Sequence, residues 1–176
     1  MEVDFGDSWV DIAGTPCKVK YLVATLPQWS AYFAKAYPVA RLESLLDGIE
    51  SAFRYFGDVV ERVVLDNTSL AVKEVLADRD RLQTEAFEAF GGAYPFRAEF
   101  CALAKGWDNG KAERFIHTAL RKWAYAHAYN TSGQRAEHLL PWLHRYNWHR
   151  PHASLTARPP ISRIGLPGDN LLRYHS

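Results

Sequence analysis

The chain is poor in the residues that build disulfide or zinc scaffolds, with two cysteines among 176 residues. Cys17 and Cys101 are far apart in the sequence and form no Cys-x-x-Cys pair. The spacing therefore indicates neither a zinc site nor a disulfide framework. Free cysteine behaves as a small buried apolar residue, and we interpret both in that way. Such cysteine usage is typical of a protein from a reducing cytoplasm.

Long hydrophobic runs and internal repeats are also missing from the sequence. A membrane span needs about 20 consecutive apolar residues, and no run approaches that length. Met1 to Asp4 does not resemble the start of a signal peptide. We therefore expect a soluble, cytoplasmic protein with no membrane partner. A hydrophobic content of 48% is sufficient for one substantial core, which predicts one domain followed by a tail.

The net charge of +1 conceals a strong asymmetry along the chain. Residues 1–106 contain 11 Lys and Arg against 16 Asp and Glu, whereas residues 107–176 contain 10 against 4 and all seven histidines. A basic C-terminal part favours a surface that binds a polyanion such as nucleic acid. The charges are dispersed, so an ordinary solvated surface is the alternative interpretation.

Three carboxylates stand in positions where an isolated charge would be costly. Asp4 lies in a short alternating segment, Asp66 follows the apolar run Val63-Val64-Leu65, and Glu113 lies on the edge of an amphipathic helix. A carboxylate beside an apolar core needs a charged partner or a metal ion. Convergence of all three therefore predicts a divalent-cation site.

Hydrophobic periodicity predicts five strands and several helices. The strands are predicted around Val3–Phe5, Lys18–Leu26, Ser30–Tyr37, Val59–Leu65 and Phe96–Ala102. One helix is predicted from Pro38 to Gly57, and two helical pieces are predicted between Ser69 and Phe90, with Gly91-Gly92 as the stop. A long helix is predicted from about Asn109, with Phe115 and Trp123 on its apolar stripe. A last helix is predicted after a capping box of Thr131 and Gln134, with a bend at Pro141 and with Ala136, Leu139, Leu140 and Leu143 inward.

This order predicts an α/β fold with a five-stranded mixed sheet flanked by helices. Three antiparallel strands come first, and two more follow through helical crossovers. The first and fourth strands can then lie side by side, which would bring Asp4 and Asp66 together at one end of the sheet. The helix with Glu113 can cross beside them. That arrangement is the ribonuclease-H-like fold.

The sequence resembles the integrase-core transposases, a retroviral-integrase-like superfamily with an Asp-Asp-Glu active site. Over residues 1–107 it is similar to IstA-like insertion-sequence transposases. This similarity rests on Val3-Asp4-Phe5-Gly6, on Leu65-Asp66-Asn67-Thr68-Ser69-Leu70-Ala71-Val72, on Thr84-Glu85-Ala86-Phe87, and on the segment from Phe96 to Trp107. Residues 108–176 resemble a different integrase-core branch, through Asn109 to Ile116, Trp142 to His152, Pro159 to Arg163 and the ending Leu171 to Ser176. The apparent splice coincides with the change of charge sign.

The resemblance implies a polynucleotidyl transferase that cleaves transposon ends and transfers the strands into target DNA. Asp4, Asp66 and Glu113 would be catalytic and would bind two Mg²⁺ ions, for which Mn²⁺ can substitute. We predict a catalytic core over residues 1–147 and a Pro-rich basic tail over 148–176. The implied partners are DNA, further copies of the chain and, on the IstA-like branch, an ATPase. The helix-turn-helix that relatives carry upstream is expected to be missing.

Basic residues around Glu113 are predicted to contact DNA phosphates rather than bases. The predicted DNA-binding set is Asn67, Lys111, Arg114, His117, Arg121, Lys122 and Arg150. Asn67 orients the loop after its strand or is a turn residue, and a solvated helix face is the alternative for the cations. Trp107 and Trp148 are assigned to packing rather than base stacking. His144, His149 and His152 have no fourth ligand at zinc spacing, so phosphate contacts or local hydrogen bonds are preferred.

Two other functions remain open at this stage. The first is a non-catalytic DNA-binding or assembly module, because the splice could displace Glu113. The second is a metal-dependent ribonuclease-H-type nuclease. We expect Glu113 to be the least well placed of the three carboxylates, since its helix follows the splice.

Overall fold

A five-stranded mixed sheet organises the chain, with strand order β3-β2-β1-β5-β8. This computed structural model describes residues 1–65, 70, 72–75, 81–100, 115, 123–124, 129–164 and 171–173. The side chains of 72–75, 81–83, 154 and 171–173 are not described. The predicted α/β class and the five-stranded mixed sheet flanked by helices are confirmed.

The elements follow one another in the predicted general order. The strands are β1 (Glu2–Ile12), β2 (Thr15–Leu26), β3 (Ala31–Tyr37), β4 (Asp58–Val60), β5 (Arg62–Leu65), β6 (Val72–Val75), β7 (Arg81–Gln83), β8 (Arg97–Phe100) and β9 (Leu171–Arg173). The α-helices are α1 (Leu42–Phe56), α2 (Glu85–Ala93) and α3 (Ser132–His144), and α3 continues into a π-helix at Arg145–His149. Short 3-10 helices occupy Ala153–Leu155 and Pro160–Arg163.

A tight two-residue turn sets the register of the first hairpin. Ala13 and Gly14 both have positive φ angles, 52° and 79°, as a type I′ turn requires. The Asp11 carboxylate accepts a hydrogen bond from the Gly14 N–H at 2.8 Å and stabilises the turn. In the resulting antiparallel ladder Asp4 is opposite Val23.

The two faces of the sheet bury two separate cores. On one face α1 packs over Leu22, Ala24 and Phe33 through its apolar side, including Ile49 and Phe53. Gly48 brings this helix close to β2, because a Cβ atom added there would collide with the Leu22 side chain. On the other face Val10, Tyr21 and Val23 pack against Leu139 and Leu143 of α3.

The predicted capping box begins α3. The Thr131 hydroxyl accepts a hydrogen bond from the Gln134 N–H at 3.1 Å, and the Gln134 side chain accepts one from the Asn130 N–H at 3.0 Å. The buried face of the helix differs from the prediction: Arg135, Leu139 and Leu143 are buried, whereas Ala136 and Leu140 are exposed. The buried side of α3 is defined by residues spaced four apart, Arg135, Leu139 and Leu143, and not by its apolar residues alone.

Four local predictions were wrong. Helix α1 begins at Leu42, not at Pro38, and the run from Val59 to Leu65 is divided at Glu61 into β4 and β5. Residues 72–75 and 81–83 form an antiparallel hairpin where a helix was predicted, because strand pairing overrides a weak helical pattern. Helix α2 continues through Gly91-Gly92 and ends at Ala93, with Tyr94 as its C-cap.

The C-terminal residues pack against the body of the protein. Leu155 and Pro160 are buried, and β9 pairs with β4, so that Leu172 is opposite Val59. The boundary after residue 147 stays a prediction. Within the described ranges, no helix is long and apolar enough to cross a membrane.

Candidate active site and nucleic-acid surface

Asp4 is the one predicted catalytic carboxylate that falls within the described residues. It is half-buried in β1, and its Oδ1 atom accepts a hydrogen bond from the Phe5 N–H at 2.7 Å. Val3 and Phe5 contact the α1 core, so strand alternation directs Asp4 to the opposite face, which α3 covers further along. The sheet therefore holds this carboxylate at a defined position and on a defined face.

Strands β1 and β5 are adjacent and parallel, as predicted for the first and fourth strands of the predicted sheet. Glu2 is paired with Val64 and Val3 with Leu65. The Val64 N–H donates to the Met1 carbonyl at 2.8 Å. Asp4 follows Val3 in the sequence, and Asp66 follows Leu65. Asp66 and Asn67 lie outside the described residues. The described pairing of β1 with β5 therefore ends at Val3 and Leu65, one residue before the predicted pair of Asp4 and Asp66.

The predicted helix with Glu113 is described at few positions. Glu113 and the cations Lys111, Arg114, His117, Arg121 and Lys122 lie outside the described residues. Phe115 is described and is 3% exposed. Its ring stacks on Tyr32 with a centroid distance of 4.1 Å and an interplanar angle of 1°. Tyr146 contacts it edge-on at 5.4 Å, and Trp142 lies at 6.1 Å.

The described residues supply one predicted metal ligand and no complete metal site. Among them, no group of three or more His, Cys, Asp and Glu side chains could hold an ion. His144 and His149 lie near each other, with ring centroids 5.3 Å apart, and His144 stacks on Trp148 at 4.7 Å. Trp148 also contacts Tyr55 edge-on at 5.3 Å, as its assignment to packing predicts. The chemistry of the Asp4 carboxylate suits Mg²⁺, which prefers oxygen ligands.

Arg150 is exposed, and its guanidinium lies 5.2 Å from the centre of the Tyr146 ring. Its backbone N–H donates to the Arg145 carbonyl at 2.9 Å, which closes the π-helix. Arg145, Arg158 and Arg163 are exposed as well. None of these four arginines forms an ion pair with a described carboxylate. Exposed guanidinium groups without an ion pair among the described residues suit phosphate binding.

Two buried polar residues that join the N-terminal and C-terminal halves of the chain were not identified from the sequence. Arg135 is 2% exposed and donates a hydrogen bond to the Tyr21 hydroxyl of β2. Asn147 is fully buried and bonds to β3 and α1. The spacing of Arg135, Leu139 and Leu143 could have indicated the first. Asn147 stands between Tyr146 and Trp148, and that aromatic setting is the signal for the second.

Burial changes the pKa of several groups in this interface. It raises the pKa of Tyr55 to about 12, although the hydrogen bond from Asn147 acts in the opposite direction. It also raises the pKa of Tyr21, against the effect of the Arg135 cation. Burial lowers the pKa of His152, and the neighbouring Arg150 lowers it further. The tyrosines are therefore neutral hydrogen-bonding groups at pH 7.

Sequence comparisons identify relatives among transposases. The family model described as "Integrase core domain" matches residues 96–160, a range that crosses the predicted splice near residue 107. A transposase from Aminobacter aminovorans is 29% identical over 119 residues, which are 68% of this chain and 23% of that protein. The transposase for insertion sequences IS1326/IS1353 from Pseudomonas aeruginosa is 29% identical over 122 residues, 69% of this chain and 24% of the relative. The chain thus spans about a quarter of these relatives.

Solved structures with the same fold are retroviral integrase cores. The catalytic core domain of HTLV-2 integrase, in a trimeric form in complex with magnesium, superposes with a TM-score of 0.61 at 12% identity and covers 92% of each chain. The predicted ribonuclease-H-like fold is therefore confirmed. The chain is thus similar in sequence to insertion-sequence transposases and to the integrase core domain family, and similar in fold to a retroviral integrase core.

Proposed function

We propose that this chain is the catalytic core of an Asp-Asp-Glu transposase, which cleaves the ends of an insertion sequence and joins them to target DNA. Asp4, Asp66 and Glu113 are the proposed catalytic residues and the ligands of two Mg²⁺ ions. The relatedness to transposases and the integrase-core fold support this assignment. The observation that supports the proposal most directly is the β1–β5 register, which pairs Val3 with Leu65. An aspartate follows each of these residues in the sequence.

That register explains why two strands are needed for the chemistry. In a parallel pair, residues that follow matched positions come to lie side by side, so the register would bring Asp66, after the end of β5, next to Asp4 within β1. Two aspartates so placed would repel each other unless a cation lies between them. Mg²⁺ accepts such oxygen ligands, and a pair of ions stabilises both the attacking and the leaving oxygen of a phosphoryl transfer.

Asp4 would serve two successive phosphoryl-transfer reactions in the proposed mechanism. Asp4 is held on the sheet by its strand neighbours and by the Phe5 N–H, so its carboxylate keeps one orientation. In the first reaction water attacks a phosphodiester and leaves a 3′-hydroxyl at the transposon end and a phosphate on the flanking strand. In the second, that hydroxyl attacks a phosphodiester of target DNA and releases a 3′-hydroxyl of the target strand.

DNA binding is proposed for the basic C-terminal half. Arg145, Arg150, Arg158 and Arg163 are exposed and unneutralised by described acids. Lys111, Arg114, His117, Arg121, Lys122 and Asn67 remain proposed contacts in addition. Homo-oligomers on DNA are proposed because the HTLV-2 integrase core was solved in a trimeric form. An ATPase partner is a further proposal, which rests on the IstA-like resemblance alone.

The test is an incubation of the chain with end-labelled duplexes copied from the DNA on either side of its gene and with supercoiled plasmid as the target, in Mg²⁺ or Mn²⁺, with EDTA as the control. Metal-dependent nicks together with labelled duplex joined to plasmid are expected. Nicks without joined products would indicate a nuclease of the ribonuclease H type. Salt-sensitive binding without any nick would indicate a non-catalytic module, and either result would overturn the proposal.

A further inference from the structure

Asn147 is a buried side chain whose amide bonds to a strand edge as a neighbouring strand would. Strand β3 is an edge of the sheet, so it leaves outward backbone groups without a strand partner. The Asn147 Oδ1 atom accepts the Tyr32 N–H at 3.0 Å, and its Nδ2 atom donates to the Tyr32 carbonyl at 2.6 Å. One side chain therefore completes the pairing of one strand residue.

The third hydrogen bond of Asn147 reaches a different element. Its Nδ2 atom also donates to the Tyr55 hydroxyl of α1 at 2.8 Å. Asn147 is 0% exposed, so these bonds form out of contact with water. A buried amide that lost them would leave unsatisfied polar groups on three elements. The π-helix of Arg145–His149 is thereby fixed to both β3 and α1.

The strand residue that Asn147 holds is also the stacking partner of Phe115. Tyr32 stacks face to face on Phe115 at 4.1 Å, and Tyr146, the neighbour of Asn147, contacts both rings. Trp142 completes the contacts of Phe115. We call Tyr32, Trp142 and Tyr146 the aromatic cage. Asn147 bonds to one member and is adjacent in sequence to another, so it sets the spacing of the cage.

Phe115 lies two residues after Glu113 in the sequence. A side chain in a close-packed cage restricts its own backbone and, through the covalent chain, the residues next to it. A displacement of about 1 Å at a catalytic group can cost about a hundredfold in rate. A residue that fixes the cage can thus control the position of the proposed catalytic glutamate without contacting it.

We propose that Asn147 is a positioning residue: by fixing Tyr32 and Tyr146 it holds Phe115 and thereby the segment that carries Glu113. The catalytic part of this inference rests on the proposed function. The structural part, that Asn147 fixes the aromatic cage around Phe115, is independent of any activity.

Hydrogen exchange measured by mass spectrometry tests the structural part. In Asn147→Ala, amides in peptides covering 109–120 should exchange at least tenfold faster, whereas peptides from β1 and β2 keep their protection. Asn130→Ala is the matched control, because Asn130 is exposed and should change nothing. If Asn147→Ala unfolds the whole chain, Tyr55→Phe, which removes one of the three Asn147 hydrogen bonds, should give a smaller increase in the same peptides. Unchanged exchange in 109–120 in a folded variant overturns the proposal.

Steady-state kinetics tests the catalytic part. Asn147→Ala should lower the kcat of metal-dependent cleavage at least tenfold, and this change should exceed the change in the KM for DNA, although Arg145 and Arg150 lie on the same segment as Asn147. An effect on KM alone would contradict positioning. If the wild-type chain does not cleave DNA, the proposed function fails, and the exchange experiment still decides the role of Asn147.

Discussion

Cations in two regions of the molecule are used in opposite ways. In the N-terminal region, residues 1–65, Lys18 and Lys20 both pair with Asp7 at 2.9 and 2.8 Å, and Lys35 pairs with Asp47 at 2.7 Å. In the C-terminal segment, residues 129–164, the exposed arginines have no described carboxylate partner, and Glu137 is the one acidic residue of the segment. The first region pairs these lysines with carboxylates within the fold, whereas the exposed arginines of the second region are the ones proposed to bind phosphate.

This difference separates charge that supports the sheet from charge that can bind DNA. Exposed ion pairs such as Lys18–Asp7 add at most about 1 kcal/mol each and reduce the local positive potential. Exposed arginines that are not paired with a described carboxylate favour phosphate binding. The proposed DNA contacts therefore follow the regional net charge and not the total of +1.

The largest expected effect contrasts two acids of the same strand. Asp4→Asn should reduce metal-dependent cleavage about a thousandfold, because a lost ligand removes several kcal/mol of transition-state stabilisation. Asp7→Asn is the matched control, since Asp7 lies on the other face of β1 and pairs with lysines. Circular dichroism should show both variants folded. Cleavage that persists in Asp4→Asn would show that Asp4 is not a ligand.

The second effect tests the contrast between the cations directly. Changing Arg145, Arg150 and Arg158 together to Ala should lower the slope of log affinity for DNA against log salt concentration by about 2 to 3, at about 0.9 per phosphate contact. The control replaces the paired Lys18 and Lys20 by Ala and should change the slope by less than about 1. Equal changes in fluorescence-anisotropy titrations would remove the distinction between the regions.

A third effect concerns packing in the N-terminal region. Gly48→Ala should destabilise the protein by about 1 to 3 kcal/mol, because the new Cβ atom overlaps the buried Leu22 side chain. Gly91→Ala in α2 is the control, since a Cβ atom there meets no neighbour within 4 Å. It should be neutral or stabilising by up to about 1 kcal/mol. Urea denaturation measures both, and equal stability of the two variants would contradict the close approach of α1.

The smallest effect is a different pH dependence of stability in each region. Hydrogen bonds from Lys20 and Lys18 lower the pKa of Asp7, so its contribution is present above its unfolded pKa of 3.8 and is lost as pH falls through the lower folded value. The lowered pKa of His152 makes stability fall as pH drops below 6.5, because the unfolded state takes up the proton first.

Asp7→Asn should remove the pH dependence of the unfolding free energy below pH 4, and His152→Asn should remove it between pH 7 and 5. Each change should be less than about 1 kcal/mol, because the Asp7 and His152 side chains are partly exposed. Thermal unfolding at stepped pH measures both effects. Identical curves for the two variants would show that neither titration is coupled to folding.

Strong periodic signals predicted the elements that lie next to Asp4. The alternation in β1 to β3 and the apolar face of α1 were sufficient for the sheet order, because buried strands and helices have few alternative faces. Residues 72–75 and 81–83 were predicted wrongly, since their antiparallel pairing depends on contacts that local propensity does not contain. The split of Val59–Leu65 at Glu61 arises because β4 pairs with β9 while β5 pairs with β1 and β8.

The candidate site was predictable to a different extent in each half. Asp4 could be chosen from its strand and from the family resemblance, and the β1–β5 register agrees with that choice. The predicted positions of Asp66 and Glu113 stay predictions. Asn147 and Arg135 could not be assigned from the sequence, because a polar residue near an apolar stripe becomes a buried anchor only when a specific partner meets it.

By itself the sequence determined the order of strands, the regional charge and the carboxylates on which the proposed chemistry depends, because periodicity and composition act locally along the chain. The tertiary structure decided the register of β1 against β5, which face of the sheet carries Asp4, and how the two halves join through Asn147 and Arg135. Those features depend on groups more than 100 residues apart, such as Asn147 and Tyr32, whose hydrogen bonds exist only when burial brings them together.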